Sequence, residues 1–300
     1  MRKLLLSLLG FFAVVCIAVL AFTAPARWQI QHIAPELPGW EALDAALDVT
    51  NGPISVAYIN TASQSTFPGE LGHPGILVDW PDGRRFLIDT GMPPENAQAF
   101  GEPMELLGAG PTTTFGSVAT QLGRAVESVR GIAFTHLHND HTEGLPEICA
   151  IQERAATVYQ TPLQHSELNY TTDIGMVALD AAVCPRQVLD GGSIQPIPGF
   201  PGLVAVSLGG HTPGSTMYAV RVGGKTWIFS GDITNDRRSL VEDLPKPWWY
   251  SALIVPEDTD RTAMLRRWLG RLDKRAGITV LPAHDVVAMA ASRLPNWAGE

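Results

Sequence analysis

The stretch FTHLHNDHTEG at residues 134–144 puts His136, His138 and His141 with Asp140 inside six residues. Packed this closely, three imidazoles and a carboxylate cost stability unless a ligand binds them. They call for a fold with a rigid support and an open side, and the ends of β-strands supply both. The apolar run 131–135 leads straight into the cluster. In an extended chain, residues 136, 138 and 140 point one way, so His136 and His138 can share one metal ion. Asp140 and His141 are adjacent and cannot both continue that face. A bend between them would turn both towards a second ion. Three nitrogen donors and one carboxylate suit zinc, with iron and manganese also compatible.

Three residues far along the chain repeat the pattern. The runs 216–222 and 225–229 around Gly223-Gly224 read as a hairpin, which brings His211 and Asp232 to the same end of a sheet. GGHTPGS at 209–215 is a tight loop whose Gly and Pro fix the approach of His211. SGD at 230–232 sets Asp232 just past a buried run, and His284 follows the run 278–281 in the same way. Five of the eight histidines thus fall where strand-like runs end.

The remaining pattern is mixed. Runs 54–60, 75–80, 85–89, 157–160, 192–198 and 203–208 read as strands. Residues 115–128, 162–170 and 259–275 have helical character, and 61–74 reads as a Ser/Gly/Pro-rich loop. Strands in two groups with interspersed helices predict two sheets packed face to face and covered by helices, an α/β class. No linker separates the groups, so residues 27–300 are expected to form one domain.

The N-terminus is expected to lie outside that domain. Arg2 and Lys3 precede an uncharged segment at 4–22. With Ala24-Pro25-Ala26 as a cleavage site, residues 1–26 read as a secretory signal, or equally as an uncleaved membrane anchor of sufficient length. Either way the domain is exported, to the periplasm or the cell exterior. The formal net charge is −9 for the whole chain, and no basic run exists, which disfavours a nucleic-acid partner. Cys149 and Cys184 can pair in an oxidising compartment or stay as two buried thiols.

H-x-H-x-D-H at residues 136–141, followed by His211, Asp232 and His284 in this order, resembles the metallo-β-lactamase superfamily, as does LIDTG at 87–91. The resemblance implies an αββα sandwich with two zinc ions at one edge. His136, His138 and His211 would bind the first ion, and Asp140, His141 and His284 the second. Asp232 would bridge them, and Asp89 would orient ligand histidines from behind. It also implies a hydrolase in which a hydroxide held between the ions attacks a carbonyl carbon or a phosphorus, with Asp140 orienting it or taking its proton.

For the substrate, residues 209–285 look most like the acyl-homoserine-lactone lactonases, so a lactone or ester carbonyl is expected. Phosphotriesters and β-lactams are the alternatives on the same site, and an iron-dependent sulfur dioxygenase is a competing class. Those lactonases have Tyr three residues after the bridging Asp, where this chain has Asn235. Tyr250 and Tyr218 are the candidate phenols to replace it. PKPWWYS at 245–251 offers Trp248, Trp249 and Tyr250 as an apolar pocket wall. Residues 61–74 would form a lid carrying Phe67 and His73.

Overall fold

A computed structural model describes residues 2–66 and 69–297. Its first sheet has seven strands, in the spatial order β4 (Thr112–Thr114), β1 (Ser55–Thr66), β2 (Gly69–Asp79), β3 (Arg85–Ile88), β5 (Val129–Ala133), β6 (Thr157–Gln160) and β7 (Arg186–Val188). The second has five, ordered β12 (Ile278–Leu281), β11 (Lys225–Phe229), β10 (Thr216–Val222), β9 (Leu203–Ser207) and β8 (Gln195–Pro196).

Alternation along the strands builds the layers. Phe86 and Ile88 of β3 point between the sheets, where they join Leu203, Ala205, Tyr218, Val220 and Leu281. Leu87 faces the other way, into a core shared with the helices Val118–Leu122, Leu145–Ile151 and Asp173–Ala181. Val204, Val206, Met217 and Val280 face outward from the second sheet onto Trp40–Leu47 and Thr259–Asp273. The result is the expected helix–sheet–sheet–helix order.

Strand direction places the site. Strands β3 and β5 are parallel, as are β11 and β12. Strand β9 is antiparallel to β10, which is antiparallel to β11, so β9 runs with β11 and β12. The carboxyl ends of these strands share one edge of the sandwich, where open α/β sheets bind ligands. Two bonds lock the sheets together there: Thr216 donates its backbone N–H to the Thr135 carbonyl at 2.7 Å, and the Tyr218 hydroxyl donates to the Phe134 carbonyl at 3.2 Å. Tyr218 is therefore part of the scaffold.

Several expectations change. Residues 61–74 are not a loop: apart from 67 and 68, which lie outside the described residues, they extend β1 and β2 into a long hairpin arm. The Thr61, Ser63 and Gln64 side chains are buried and hydrogen-bonded, Gln64 to the carbonyls of Gly101 and Gly110. The helix expected over 115–128 is α-helical only to Leu122, because Gly123 adopts a positive φ of 53° and a 3-10 turn follows. The helix from Pro162 ends at Ser166, ahead of a turn in which the Asn169 side chain accepts from the Thr171 backbone N–H. Only Gln195–Pro196 of the run 192–198 pairs as strand.

The helix Arg2–Gln31 runs unbroken through Ala24-Pro25-Ala26. Its stretch Gly10–Gln31 is long and apolar enough to cross a membrane, with mean hydropathy 1.9. Its second half, however, packs on the domain: Thr23, Ala26 and Ile30 are buried. Arg27 donates to the Ala252 carbonyl, and Gln29 to Glu167 and the Leu168 carbonyl.

Cys149 and Cys184 form a disulfide, closing a separation of 35 residues. Cross-linking a loop of this size removes freedom from the unfolded chain, a stabilisation of about 2–4 kcal/mol. Reduction is expected to lower the urea midpoint accordingly. An unchanged midpoint in the reduced protein would refute that assignment.

Candidate metal centre

The seven residues expected as ligands meet at the shared edge. β5 ends at Ala133, and His136 follows three residues later. His138 precedes the short helix Asn139–Thr142, which is the bend that turns Asp140 and His141 inward. β9, β11 and β12 deliver His211, Asp232 and His284 in the same way. All but His138 are buried.

Two groups of donors form, with Asp232 between them. His136 Nε2 lies 3.0 Å from His138 Nδ1, and the donor atoms of His136, His138 and His211 all lie within 4.8 Å of one another. On the other side, Asp140 Oδ2 is 3.5 Å from His284 Nε2 and 3.7 Å from His141 Nε2. Asp232 Oδ2 is 2.9 Å from His284 Nε2, 3.7 Å from His211 Nε2 and 3.9 Å from His136 Nε2. Its Oδ1 is 3.8 Å from His141 Nε2.

The imidazoles are oriented from behind. His141 Nδ1 donates to Asp89 Oδ2 at 3.0 Å, His211 Nδ1 to Glu257 Oε1 at 2.6 Å and His284 Nδ1 to the Gly72 carbonyl at 2.7 Å. Each bond fixes the proton on Nδ1 and leaves Nε2 facing the centre. Asp89 is itself pinned, accepting from the Thr135 backbone N–H and hydroxyl, and it holds a positive φ of 60°.

These atoms fit a metal better than they fit one another. His141 Nε2, His211 Nε2 and Asp232 Oδ1 are buried and make no hydrogen bond. Leaving such groups unpaired costs about 1–3 kcal/mol each, whereas nitrogen and carboxylate donors converging at these distances suit zinc, with iron or manganese also compatible. The charges are divided. Burial, then the neighbouring imidazoles, pushes His136 and His138 down, His138 to about 3. Burial also lowers His141, but Asp140 and Asp89 outweigh it and lift that imidazolium to about 10. Burial raises Asp140 and Asp232, yet the surrounding histidines hold both well below the usual carboxylate range.

The sequence of residues 68–284 matches the family model described as the metallo-beta-lactamase superfamily. The chain belongs to the metallo-beta-lactamase superfamily. It has the metal-dependent hydrolase fold of that superfamily. Its structure is similar to an N-acyl homoserine lactone hydrolase solved with N-hexanoyl-L-homoserine at its catalytic metal centre: 14% identity, TM-score 0.57, 81% of this chain and 97% of that one. It is also similar to a quorum-quenching N-acyl homoserine lactone lactonase, at 14% identity and TM-score 0.58 over 81% and 96%. A variant of AiiA from B. thuringiensis with bound N-decanoyl-L-homoserine aligns at 14% identity and TM-score 0.58 over 81% and 97%. No curated protein matches by sequence.

The pocket candidates within this superfamily fold separate. Trp248 and Trp249 are 75% and 48% exposed, so they do not form the inner wall expected of them: the turn starting at Pro247 carries both outward. Tyr250 is turned in, and burial, then Asp232, Glu257 and Asp140, raises its phenol well above the ordinary value. Phe67 lies outside the described residues. His73 is not on a lid: it is buried beside Asp140, with Nδ1 3.2 Å from Oδ2.

Two site residues were not legible beforehand. Glu257 and Lys246 form a buried pair, Nζ to Oε1 2.8 Å, and Lys246 also donates to the Asp232 carbonyl. Burial raises Glu257, but Lys246 and then His211 hold it at about 2. The pair ties residues 245–257 to both His211 and Asp232. The Glu257-Asp258 pair preceding the helix Thr259–Asp273 looks like ordinary capping sequence, and only Asp258 performs that role.

Proposed function

We propose that this chain is an exported, membrane-anchored dinuclear zinc hydrolase that opens lactones or related esters. The observation that carries the reading is Asp232, one carboxylate within 4 Å of nitrogens from both donor groups. His136, His138 and His211 would hold the first ion, and Asp140, His141 and His284 the second. The likeness to N-acyl homoserine lactone hydrolases supports a cyclic ester. The disulfide supports an oxidising compartment. An anchor, rather than a cleaved signal, is supported by the helix packed on both sides of Ala24-Pro25-Ala26.

Two ions held there would lower the pKa of a water towards about 7 and polarise a carbonyl oxygen. The protein does the rest. Asp140, kept ionised by its neighbouring histidines, would orient the nucleophile or take its proton. Tyr250 keeps its proton, close enough to Asp232 and Asp140 to feel their charge, and would serve as a neutral donor to the developing oxyanion or the leaving oxygen.

A panel of lactones, aryl esters, thioesters, phosphotriesters and a β-lactam, assayed with zinc-loaded protein, tests the substrate. Lactones are expected to lead in kcat/KM, and a preference for phosphotriesters would overturn the reading. Bound iron with oxygen consumption would sink the hydrolytic chemistry. Tyr250→Phe is expected to lower kcat on the best lactone by about 100-fold with KM little changed; a kcat equal to wild type would remove Tyr250 from the reaction. The intact mass of membrane-extracted protein should include residues 1–26.

A further inference from the structure

His73 sits where β1 and β2 lose their regular register. Asn60 pairs with Pro74 and Ser63 with Gly72, so Thr61 and Ala62 together oppose His73. Such a bulge re-aims the side chain opposite it. The backbone here is tightly held: the His73 N–H donates to Asn60 Oδ1 at 3.0 Å, and its carbonyl accepts from the Thr61 hydroxyl at 2.8 Å. The Gly72 N–H donates to the His284 carbonyl, and the Gly72 carbonyl accepts from the His284 ring. A Cβ on Gly72 would stand 2.4 Å from Val286, so this close approach requires glycine. Gly72-His73 is thus laced to the strand end that delivers His284.

The side chain is aimed inward. Its ring meets His284 edge-on at 5.2 Å and Phe100 edge-on at 5.2 Å. Nδ1 approaches Asp140 Oδ2 yet makes no hydrogen bond of good geometry with it, and it has no other partner. The donor atoms of His73, Asp140 and His284 all lie within 4.8 Å of one another. A buried imidazole nitrogen without a well-formed hydrogen bond, facing a carboxylate and a second imidazole, is the arrangement of a ligand set.

We propose that His73 is a further nitrogen ligand of the ion on the Asp140–His284 side. This rests on the two-ion reading above. That ion is then held by His73, His141 and His284 with Asp140 and the shared Asp232. Three imidazoles select zinc, iron or copper over manganese and magnesium, which prefer oxygen. The β1–β2 arm thereby sets which metal the second position accepts.

The test uses the full-length chain in detergent, stripped by chelation and titrated with Zn2+ and, separately, Co2+. Wild type is expected to take two ions. His73→Phe keeps a ring against Phe100 and His284 but removes both nitrogens. His73→Gln is a second variant in case the first misfolds, with near-ultraviolet circular dichroism as the folding check. The expected result is a second equivalent bound at least about tenfold more weakly, with the first unchanged and an altered Co2+ visible spectrum. A folded variant that binds two ions with wild-type affinities and an unchanged Co2+ spectrum would overturn the assignment. A wild-type chain that takes only one ion would overturn the two-ion reading itself, and this assignment with it.

Discussion

Asp232→Ala is expected to reduce kcat/KM on the best substrate by at least about a thousandfold and to lower bound metal from two ions to one or fewer. Among the described residues, the carboxylate is the only group that faces His136, His141, His211 and His284 together. Without it, ring nitrogens from the two donor groups face one another with no shared anion between them. Metal content by elemental analysis and turnover should fall together. A variant that retains two ions and activity within tenfold of wild type would remove Asp232 from its bridging role.

The second large effect concerns stability. Lys246→Met leaves Glu257 ionised, buried and facing only His211 and Ser251. Removing one partner of a buried ion pair costs about 3–5 kcal/mol, which for a domain of this size lowers Tm by on the order of 10 °C. Adding Glu257→Gln should recover part of that loss, because it removes the stranded charge. The sign of the pH dependence follows from Glu257, whose folded pKa of about 2 lies below the ordinary 4.5. A depressed carboxylate contributes fully above its unfolded pKa and loses that contribution as pH falls through the folded one. Wild-type stability should therefore decline between about pH 4.5 and 2 through this group, and Lys246→Met should lack that part of the decline. Melting curves across pH 2–7 check both statements. A Tm within 2 °C of wild type at pH 7 would show that Lys246 is dispensable.

The site and its support differ in how far they can be read from the chain. The seven converging residues stand at the ends of apolar runs, and a run that must bury itself fixes where its last residue goes. Asp89 follows the same logic at the end of β3. His73 does not. It lies in a stretch of Ser, Thr, Gly and Pro that lacks the apolar alternation of a strand, yet forms one because buried Thr61, Ser63 and Gln64 find hydrogen-bond partners. Polar residues satisfied by tertiary contacts leave no periodic trace. Glu257 and Lys246 were hidden for a different reason: each is a common surface residue type, and only the fold of 245–257 brings them together. The two tryptophans misled in the opposite sense, since aromatic content was read as a wall while backbone direction carried them outward.

The bond between His284 Nδ1 and the Gly72 carbonyl spans 212 residues of sequence. At translation rates of about 5–20 residues per second, roughly 10–40 s separate the synthesis of its two partners. Throughout that interval the first donors exist without the last. The full donor set therefore exists only once the chain has been made as far as His284. A two-ion centre of the kind proposed would thus be complete only where His284 has met Gly72.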